Sequence, residues 1–399
     1  MPPNLLITKL TGQLALLALL LMLMVEDSFI AVIDTYFRVS TCKKVSTNIP
    51  LLSTKTNTIM KIIITGSLGN ISRPLSTQLA ANGHDVTVIS SDSNKVDEIK
   101  SIGATPAIGS ITDEDFLTKT FTGADLVYLM VPTDFSAPDI KAYIATVGGH
   151  YANAVKASGV KKLVMLSSIS AHLAEGTGPI VGIHRVEEIL KKLDGVDLLM
   201  LRPSYFYNNF YADINMIKHA GIIGSNYGAD QRLAMVDPED IAAVAVEHIQ
   251  KGFTGQSVLY IASAVPTLGE VAATLGKAIG QPELPWVEFT DEQAFAGMTD
   301  AGLPEDIAKN YVEMGAAIRT GLIWDDFDLD KAELIGKTKL EDFAVKFAAA
   351  YSAKFKEKSG HCDSPLERGV GVCYAKGLTH PRNRAVPTRP LLRGEFWRI

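Results

Sequence analysis

Cysteine is scarce in this chain of 399 residues, and its three cysteines, Cys42, Cys362 and Cys373, all lie outside residues 60–353. This distribution excludes a disulfide framework and a cysteine nucleophile from the central part of the chain. A reducing compartment fits such cysteine usage, and we therefore expect a cytoplasmic protein.

Long hydrophobic runs are scarce as well. The densest is "LALLALLLMLMV" at residues 14–25, preceded by Lys9 and ended by Glu26. A membrane-spanning helix needs ~20 apolar residues, so we expect no membrane span. The run has the length of a signal-peptide core, and a signal or anchor is the alternative interpretation. We favour translation from Met60, with residues 1–59 as an extension outside the fold, because a strand follows that methionine at once.

Positive charge is lacking in the central part of the chain. Residues 60–353 carry 23 basic and 37 acidic side chains, a net charge of −14. Such a surface repels phosphate backbones, so we expect no nucleic-acid partner for this part. Residues 354–399 carry 10 basic and 4 acidic side chains among prolines and glycines. That composition predicts a disordered basic tail.

From Lys61 onward, apolar runs alternate with segments of helical spacing. The runs "KIIIT", "DVTVIS", "DLVYLMVP", "KKLVMLSS" and "VDLLMLRP" read as strands. Their alternation with helices predicts an α/β fold of Rossmann type, a doubly wound parallel sheet with helices on both faces. After Pro203 the pattern loosens: "RLAMVD" and "SVLYIAS" resemble strands, and helices are predicted near 268–279, 304–318 and 330–353. We therefore divide residues 60–353 into a regular core, 60–203, and a smaller, irregular substrate lobe, 204–353.

A glycine-spaced turn, "TGSLGNIS", follows the first strand and opens the first helix. Gly66 lets the chain turn tightly, and Gly69 leaves no Cβ where a pyrophosphate approaches backbone N–H groups at a helix N-terminus. Ser72 takes the third position, where a glycine is usual. The motif in this context predicts a dinucleotide site. The expected cofactor contacts are Gly66, Ser67, Leu68, Gly69, Asn70 and Ile71, with Val131 and Pro132 at the end of a later strand.

The residues after the second strand indicate which dinucleotide binds. An acidic residue about 20 positions after the glycines holds the ribose hydroxyls in NAD-binding proteins. Here the strand ends in Ser90 and Ser91, with Asp92 and Lys95 beyond. Two hydroxyls and a lysine suit a 2′-phosphate, whereas Asp92 opposes one unless it points away. We predict that NADP(H) is favoured over NAD(H).

The chain resembles NmrA-like members of the atypical short-chain dehydrogenase/reductase superfamily over nearly all of residues 60–353. The resemblance is carried by "TGSLGNIS", "GADLVYLMVP", "AVKASGVKKLVMLSS", "LLMLRPSYFYNN" and "VDPEDIAAVAV". It implies a Rossmann fold and one of two functions. Some relatives reduce quinones with NADPH, and others bind the dinucleotide as redox sensors without turnover. The expected partner is a small-molecule acceptor, while the oligomeric state and the participation of a flavin stay open.

Classical members of the superfamily use a serine, a tyrosine and a lysine four residues after the tyrosine for proton transfer. Ser167 and Ser168 stand where that serine belongs, but residues 169–201 contain no tyrosine. His184 and Glu188, one helical turn apart, take the place of the tyrosine and lysine. Our catalytic candidates are Ser168 and His184, with Glu188 orienting the imidazole; the alternative is a hydrogen-bonded helix histidine at the pocket edge. A site without tyrosine and lysine favours a quinone-like acceptor over a ketone, because quinone reduction yields a resonance-stabilised phenolate.

The segment "RPSYFYNNF" follows the strand that ends at Pro203. Tyr205, Tyr207 and Asn208 are candidates to stack on and hydrogen-bond a flat aromatic substrate; core packing between the lobes is the alternative. We interpret Asp237 as a helix N-cap, since proline and acidic residues follow it. The run "WDDFDLD" at 324–330 is interpreted as solvated, and no metal site is expected there because neither histidine nor cysteine accompanies it.

Overall fold

The structure is a computed structural model that describes residues 58–353. The apolar run at 14–25 and the basic tail at 354–399 lie outside the described residues, as does all but the end of the extension 1–59. The described residues fall within one compact unit. No helix in this part of the chain has the length and apolarity needed to cross a membrane.

Seven parallel strands form the central sheet, in the order β10-β6-β5-β4-β1-β2-β3. In chain order the strands are β1 (Lys61–Ile64), β2 (Asp85–Ser90), β3 (Thr105–Ile108), β4 (Leu126–Leu129), β5 (Lys162–Leu166), β6 (Asp197–Pro203), β7 (Tyr205–Phe206), β8 (Ile223–Ser225), β9 (Met235–Val236), β10 (Gln256–Ile261) and β11 (Trp286–Glu288). Ile62, Ile63 and Ile64 are fully buried because helices cover both faces of the sheet. The strand order reverses direction between β1 and β4, which is where this class of sheet binds its ligand.

Helices pack on both faces of the sheet. In chain order they are α1 (Ser72–Ala81), α2 (Val96–Ser101), α3 (Glu114–Phe121), α4 (Ile140–Ser158), α5 (Ile180–Leu190), α6 (Ile214–Ala220), α7 (Pro238–Lys251), α8 (Leu268–Ala278), α9 (Asp291–Asp300), α10 (Glu305–Thr320) and α11 (Leu340–Ser352). Helix α1 packs against α7 on one face, and α4 packs between α3 and α5 on the other. A separate hydrophobic core, which includes Phe210, Phe343 and Phe347, lies in the C-terminal region beside two small two-stranded sheets.

Several elements differ from the sequence-based expectation. Strand β3 and helix α3 were not predicted, since β3 contains Pro106, lies at the sheet edge and is only partly buried. Only Met235–Val236 of the run "RLAMVD" forms a strand. The run "SVLYIAS" does form a strand, β10, but it pairs with β6 in the central sheet although it follows residue 203. Helix α9 was also missed.

The last helix is shorter than expected. It begins at Leu340 instead of near residue 330. Asp240 on α7 explains the difference, because its Oδ2 accepts hydrogen bonds from the backbone N–H groups of Lys337 (2.9 Å) and Thr338 (2.8 Å) and from the hydroxyl of Ser263 (2.8 Å). These bonds hold residues 337–338 against α7 and out of the helix.

Candidate active site

The glycine turn has a conformation that other residue types do not tolerate at Gly66. Gly66 has φ +90°, and a Cβ there would lie 2.6 Å from both Met130 Cγ and Ser72 Oγ. Ser67 also lies in the left-handed region, with φ 53°. Its hydroxyl donates to Ser90 Oγ at 2.9 Å, which ties the turn to the end of β2. The turn is therefore fixed at both ends.

Ser72 replaces the third glycine of the motif without loss of packing. It is buried at the start of α1, and its hydroxyl donates to the carbonyl of Thr65 at 2.9 Å. That bond gives the Ser72 hydroxyl an acceptor. Without it, the close approach of helix and strand would leave this polar group buried and unpaired. A serine is tolerated at this position because its hydroxyl can donate a hydrogen bond to the Thr65 carbonyl.

Several backbone N–H groups of the turn, including those of Leu68 and Asn70, are available for an anion. The N–H of Ser67 donates to Ile89 (3.0 Å) and that of Gly69 to Gly66 (3.1 Å). Within residues 58–353, the N–H groups of Leu68 and Asn70 have no acceptor. They stand just before the positive end of α1, the arrangement that binds a diphosphate.

A cavity of about 510 Å³ lies beside the glycine turn. One wall holds Leu68, Gly69, Asn70 and Arg73, and the other holds Asn208, Tyr211, Asp237 and Lys346. Asp237 accepts from the N–H of Glu239 at 2.9 Å, which confirms it as the N-cap of α7. Lys346 lies 3.2 Å from Asp237 and 3.4 Å from Glu239, so this wall carries both signs of charge.

The end of β2 presents a cationic cluster that the sequence analysis identified only in part. Ser90 is buried, Ser91 is exposed, and Asp92 accepts from Asn94 N–H at 2.9 Å, capping a short 3₁₀ helix. One oxygen of the Asp92 carboxylate is thus used by the cap of its own helix. Lys95 lies 3.0 Å from Glu98.

Arg73 was missed, and it is the second cation of this cluster. It projects from the first turn of α1 and pairs with Glu98, the same carboxylate that binds Lys95. Hydrogen bonds from Arg73 and then Lys95 hold the pKa of Glu98 below its ordinary value. The sequence does contain one signal for Arg73, which is its position in the first turn of a helix. A cation there is unfavourable against the helix dipole, and an anionic partner offsets that cost.

Val131 and Pro132 follow β4 at the carboxyl edge of the sheet, and both are partly exposed. The preceding residue is held against the glycine turn. Met130 N–H donates to Thr65 Oγ1 at 2.8 Å, and the hydroxyl of Tyr151 donates to Met130 O at 2.7 Å. The end of β4 and the turn after β1 therefore form one rigid edge.

His184 does not have the partner predicted for it. Its Nδ1 lies 2.9 Å from the carbonyl of Ala171, so this nitrogen carries the proton and donates. Glu188 instead accepts from Lys191 at 3.0 Å, and that bond is the main cause of its lowered pKa. In neutral His184, Nε2 can accept a proton but has none to donate. Ser168, the second catalytic candidate, is partly exposed at the end of β5.

A buried ion pair lies directly beneath these residues. Glu187 is fully buried and receives Arg202 Nε at 3.0 Å, Arg202 Nη2 at 2.7 Å and Ser167 Oγ at 2.5 Å. Burial opposes ionisation of Glu187, but the hydrogen bonds from Arg202 and Ser167 outweigh it and hold the pKa of this carboxyl below its ordinary value. Ser167 is thus structural and joins β5 to α5.

The acidic run at 324–330 is not wholly solvated, contrary to the sequence-based interpretation. Asp326 pairs with Arg202 at 3.0 Å, accepts from Tyr260 and lies 2.8 Å from His172 Nδ1. His172 also lies 3.2 Å from Asp325. No group of histidine, cysteine and acidic residues among the described ones is arranged to hold a metal.

The three predicted substrate contacts have different environments. Tyr207 is fully buried, stacks on Phe343 with ring centroids 5.2 Å apart, and lies 3.3 Å from the Thr338 carbonyl. Tyr207 exposes no surface on which a ligand could stack, so its burial gives no support to a substrate role. Asn208 lines the cavity beside the glycine turn. Tyr205 is partly exposed, just past the end of β6.

Tyr205 belongs to a cluster that the sequence did not reveal. Tyr205 lies 5.4 Å from Phe210 between ring centroids. Burial raises the pKa of Tyr205, and the charges of Tyr227 and Asp213 act in the same direction. Burial raises the pKa of Asp213 to about 8 and that of Tyr227 to about 12. Asp213 stands at the N-cap position of α6 but makes no capping bond. In the sequence it reads as an ordinary cap.

Comparisons with known proteins agree with this geometry. The family model described as NAD(P)H-binding matches residues 66–251. A search of curated proteins by sequence found no match.

Solved structures share the fold. An NADPH-dependent quinone oxidoreductase from Escherichia coli, complexed with NADPH, has a TM-score of 0.61 at 23% identity, over 71% of this chain and 99% of that one. A triphenylmethane reductase from Citrobacter sp., complexed with NADP(H), has a TM-score of 0.61 at 20% identity, over 72% and 99%. A nucleoside-diphosphate-sugar epimerase from Staphylococcus aureus has a TM-score of 0.59 at 18% identity, over 72% and 100%. The predicted Rossmann-type α/β fold is thus confirmed.

Proposed function

We propose that this chain, whose residues 66–251 match the NAD(P)H-binding family model, transfers a hydride from NADPH to a quinone-like or other conjugated acceptor. The observation that carries this proposal is an intact dinucleotide turn beside a helix in which His184 and Glu188 replace the tyrosine and lysine. Hydride donation depends on the turn, whereas assisted protonation of an alkoxide depends on the missing pair. The names of the two reductases with similar folds, one for quinones and one for triphenylmethane, agree with a conjugated acceptor.

The chain's own residues assign roles around the cofactor. The N–H groups of Leu68 and Asn70, at the start of α1, bind the diphosphate. Arg73 and Lys95 bind the 2′-phosphate, which takes over from Glu98 as their anionic partner. When bound, NADPH supplies the hydride. We infer that the site favours NADP(H) over NAD(H), because Arg73 and Lys95 lie together near the end of β2 and one oxygen of Asp92 is used by a helix cap.

The proposal is tested by NADPH oxidation with three classes of acceptor: a naphthoquinone, a triphenylmethane dye and a simple aliphatic ketone. We expect turnover with the conjugated acceptors and little with the ketone. Cofactor binding is measured separately by the fluorescence of NADPH, so that a defective protein sample is recognised. Tight NADPH binding without oxidation by any acceptor would contradict the proposal and favour the non-catalytic redox sensor.

A further inference from the structure

The peptide that joins Met130 to Val131, just past the end of β4, is held by residues of two other elements. The hydroxyl of Tyr151 on α4 donates to the Met130 carbonyl at 2.7 Å. The hydroxyl of Thr65, just after β1, lies 3.3 Å from the same carbonyl and accepts the Met130 N–H at 2.8 Å. Tyr151 and Thr65 are both fully buried, so solvent does not compete for these bonds. The orientation of the peptide is therefore fixed.

The N–H of Val131 belongs to the same peptide and points the opposite way. In a planar trans peptide the C=O and the N–H lie on opposite sides. The Met130 carbonyl faces Thr65 at the end of β1, so the Val131 N–H is directed toward the end of β5, the other neighbour of β4. Among residues 58–353 this N–H has no acceptor, and Val131 is partly exposed. The donor is therefore available to a ligand at the carboxyl edge.

The order of the strands indicates which part of the cofactor would lie over this donor. In the proposed function, Arg73 and Lys95 bind the 2′-phosphate beside β2, and the turn after β1 binds the diphosphate. Strands β4 and β5 follow β1 on the side of the sheet away from β2. A dinucleotide that runs from β2 across β1 therefore brings its nicotinamide half over the ends of β4 and β5.

Resting on the proposed function, we propose that Tyr151 is a positioning residue. By holding the Met130 carbonyl, its hydroxyl orients the Val131 N–H toward an oxygen of the nicotinamide half, in the ribose or the carboxamide. Pro132 has no N–H, so Val131 supplies the single backbone donor of this pair of residues. A donor that is oriented before the ligand arrives loses little conformational entropy on binding, so its hydrogen bond contributes more to affinity.

The role of Tyr151 is tested by Tyr151→Phe, which removes only the hydroxyl. Two ligands are titrated: NADPH, and 2′,5′-ADP, which carries the 2′-phosphate but has no nicotinamide half. We expect the variant to raise the Kd for NADPH by about 2- to 10-fold, the effect of one hydrogen bond, and to leave the Kd for 2′,5′-ADP unchanged.

Tyr128→Phe is the matched control. Tyr128 is also a fully buried tyrosine and lies in β4 itself, but among the described residues its hydroxyl has no hydrogen-bond partner. Both dissociation constants should stay at the wild-type values in this variant. Equal increases of Kd for the two ligands in Tyr151→Phe, or an unchanged Kd for NADPH, overturn the inference and leave the proposed function standing. A wild type that binds neither ligand removes both.

Nuclear magnetic resonance of the full wild-type chain tests the donor itself. With carbon-13 on the methionine carbonyls and nitrogen-15 on valine, three Met–Val peptides give a coupled signal, at residues 24–25, 130–131 and 235–236. Val131→Ile lacks one of these signals, which identifies it. We expect the proton resonance of the Val131 N–H to move downfield with NADPH and to stay in place with 2′,5′-ADP. No movement with NADPH, or the same movement with both ligands, overturns the inference.

Discussion

Arg73 is the residue to which we attribute the proposed preference of the site for NADP(H) over NAD(H). Its guanidinium lies in the first turn of α1, paired with Glu98 together with Lys95. We expect Arg73→Ala to weaken NADPH binding by roughly 1.5–3 kcal/mol, the range for hydrogen bonds to charged groups, and to leave NADH binding unchanged. Fluorescence titration with both cofactors measures the two dissociation constants.

The control for Arg73 is Lys100→Ala, which removes an exposed cation from α2. Glu98→Gln provides a second check, because it frees both cations from their protein partner and is expected to tighten NADPH binding. Equal losses of NADPH and NADH affinity in Arg73→Ala would show that the arginine supports the turn itself and does not read the 2′-phosphate.

Asp213 makes the stability of the protein depend on pH in a predictable direction. Its pKa is raised from 3.8 to about 8 in the folded state, so the folded protein holds a proton that the unfolded chain has lost. The stabilisation is fully present below about pH 4 and is lost as the pH rises to about 8. The slope is at most roughly 1.4 kcal/mol per pH unit, since partial exposure reduces it. Urea denaturation across this range should give a flatter profile for Asp213→Asn; identical profiles would contradict the raised pKa.

At the scale of the element, Glu187 and Arg202 join α5 to β6, and Ser167 adds β5. The candidate catalytic residues lie on or next to these elements, since His184 is in α5 and Ser168 follows β5. A buried carboxylate that loses its partner keeps its desolvation cost, so we expect Arg202→Ala to lower the free energy of unfolding by ~3–5 kcal/mol. Urea denaturation monitored by circular dichroism measures the change.

A double replacement separates the free-energy cost of burying an unpaired charge from the cost of losing side-chain contacts. Glu187→Leu with Arg202→Met removes both charges and is expected to recover most of the stability, because packed apolar side chains replace a buried pair at little cost. Lys191→Ala is the control: it breaks a more exposed pair to Glu188 and Glu187 and should cost about 1 kcal/mol or less. A double variant as unstable as Arg202→Ala would show that the pair is needed for more than its charge.

At the scale of the whole molecule, the elements of residues 58–353 form a complete sheet with both faces covered. We therefore expect residues 60–353, produced alone, to be folded and to bind NADPH with the same Kd as the full chain. Calorimetric titration of both proteins measures this. An insoluble fragment, or one with much weaker binding, would show that residues 1–59 or 354–399 contribute to the fold or the site.

The sequence by itself determined the fold class and the dinucleotide turn. Both depend on short-range patterns. Buried strands of a parallel sheet are continuously apolar, and the turn needs glycine at position 66 because the backbone there has a positive φ. The cap at Asp237 was predictable for the same reason, since a capping side chain bonds to the backbone of the residues that follow it.

Only the tertiary structure decided which polar residues meet. Arg73 and Lys95 come together through Glu98, Glu187 receives hydrogen bonds from Arg202 and Ser167, and His172 reaches Asp326 from a distant part of the chain. Tyr207 and Asn208 are neighbours in sequence, yet one is core and the other lines the cavity. Such pairings depend on long-range packing, and burial sets whether a carboxyl caps a helix, joins an ion pair or keeps its proton. Local sequence spacing determines neither the packing nor the burial.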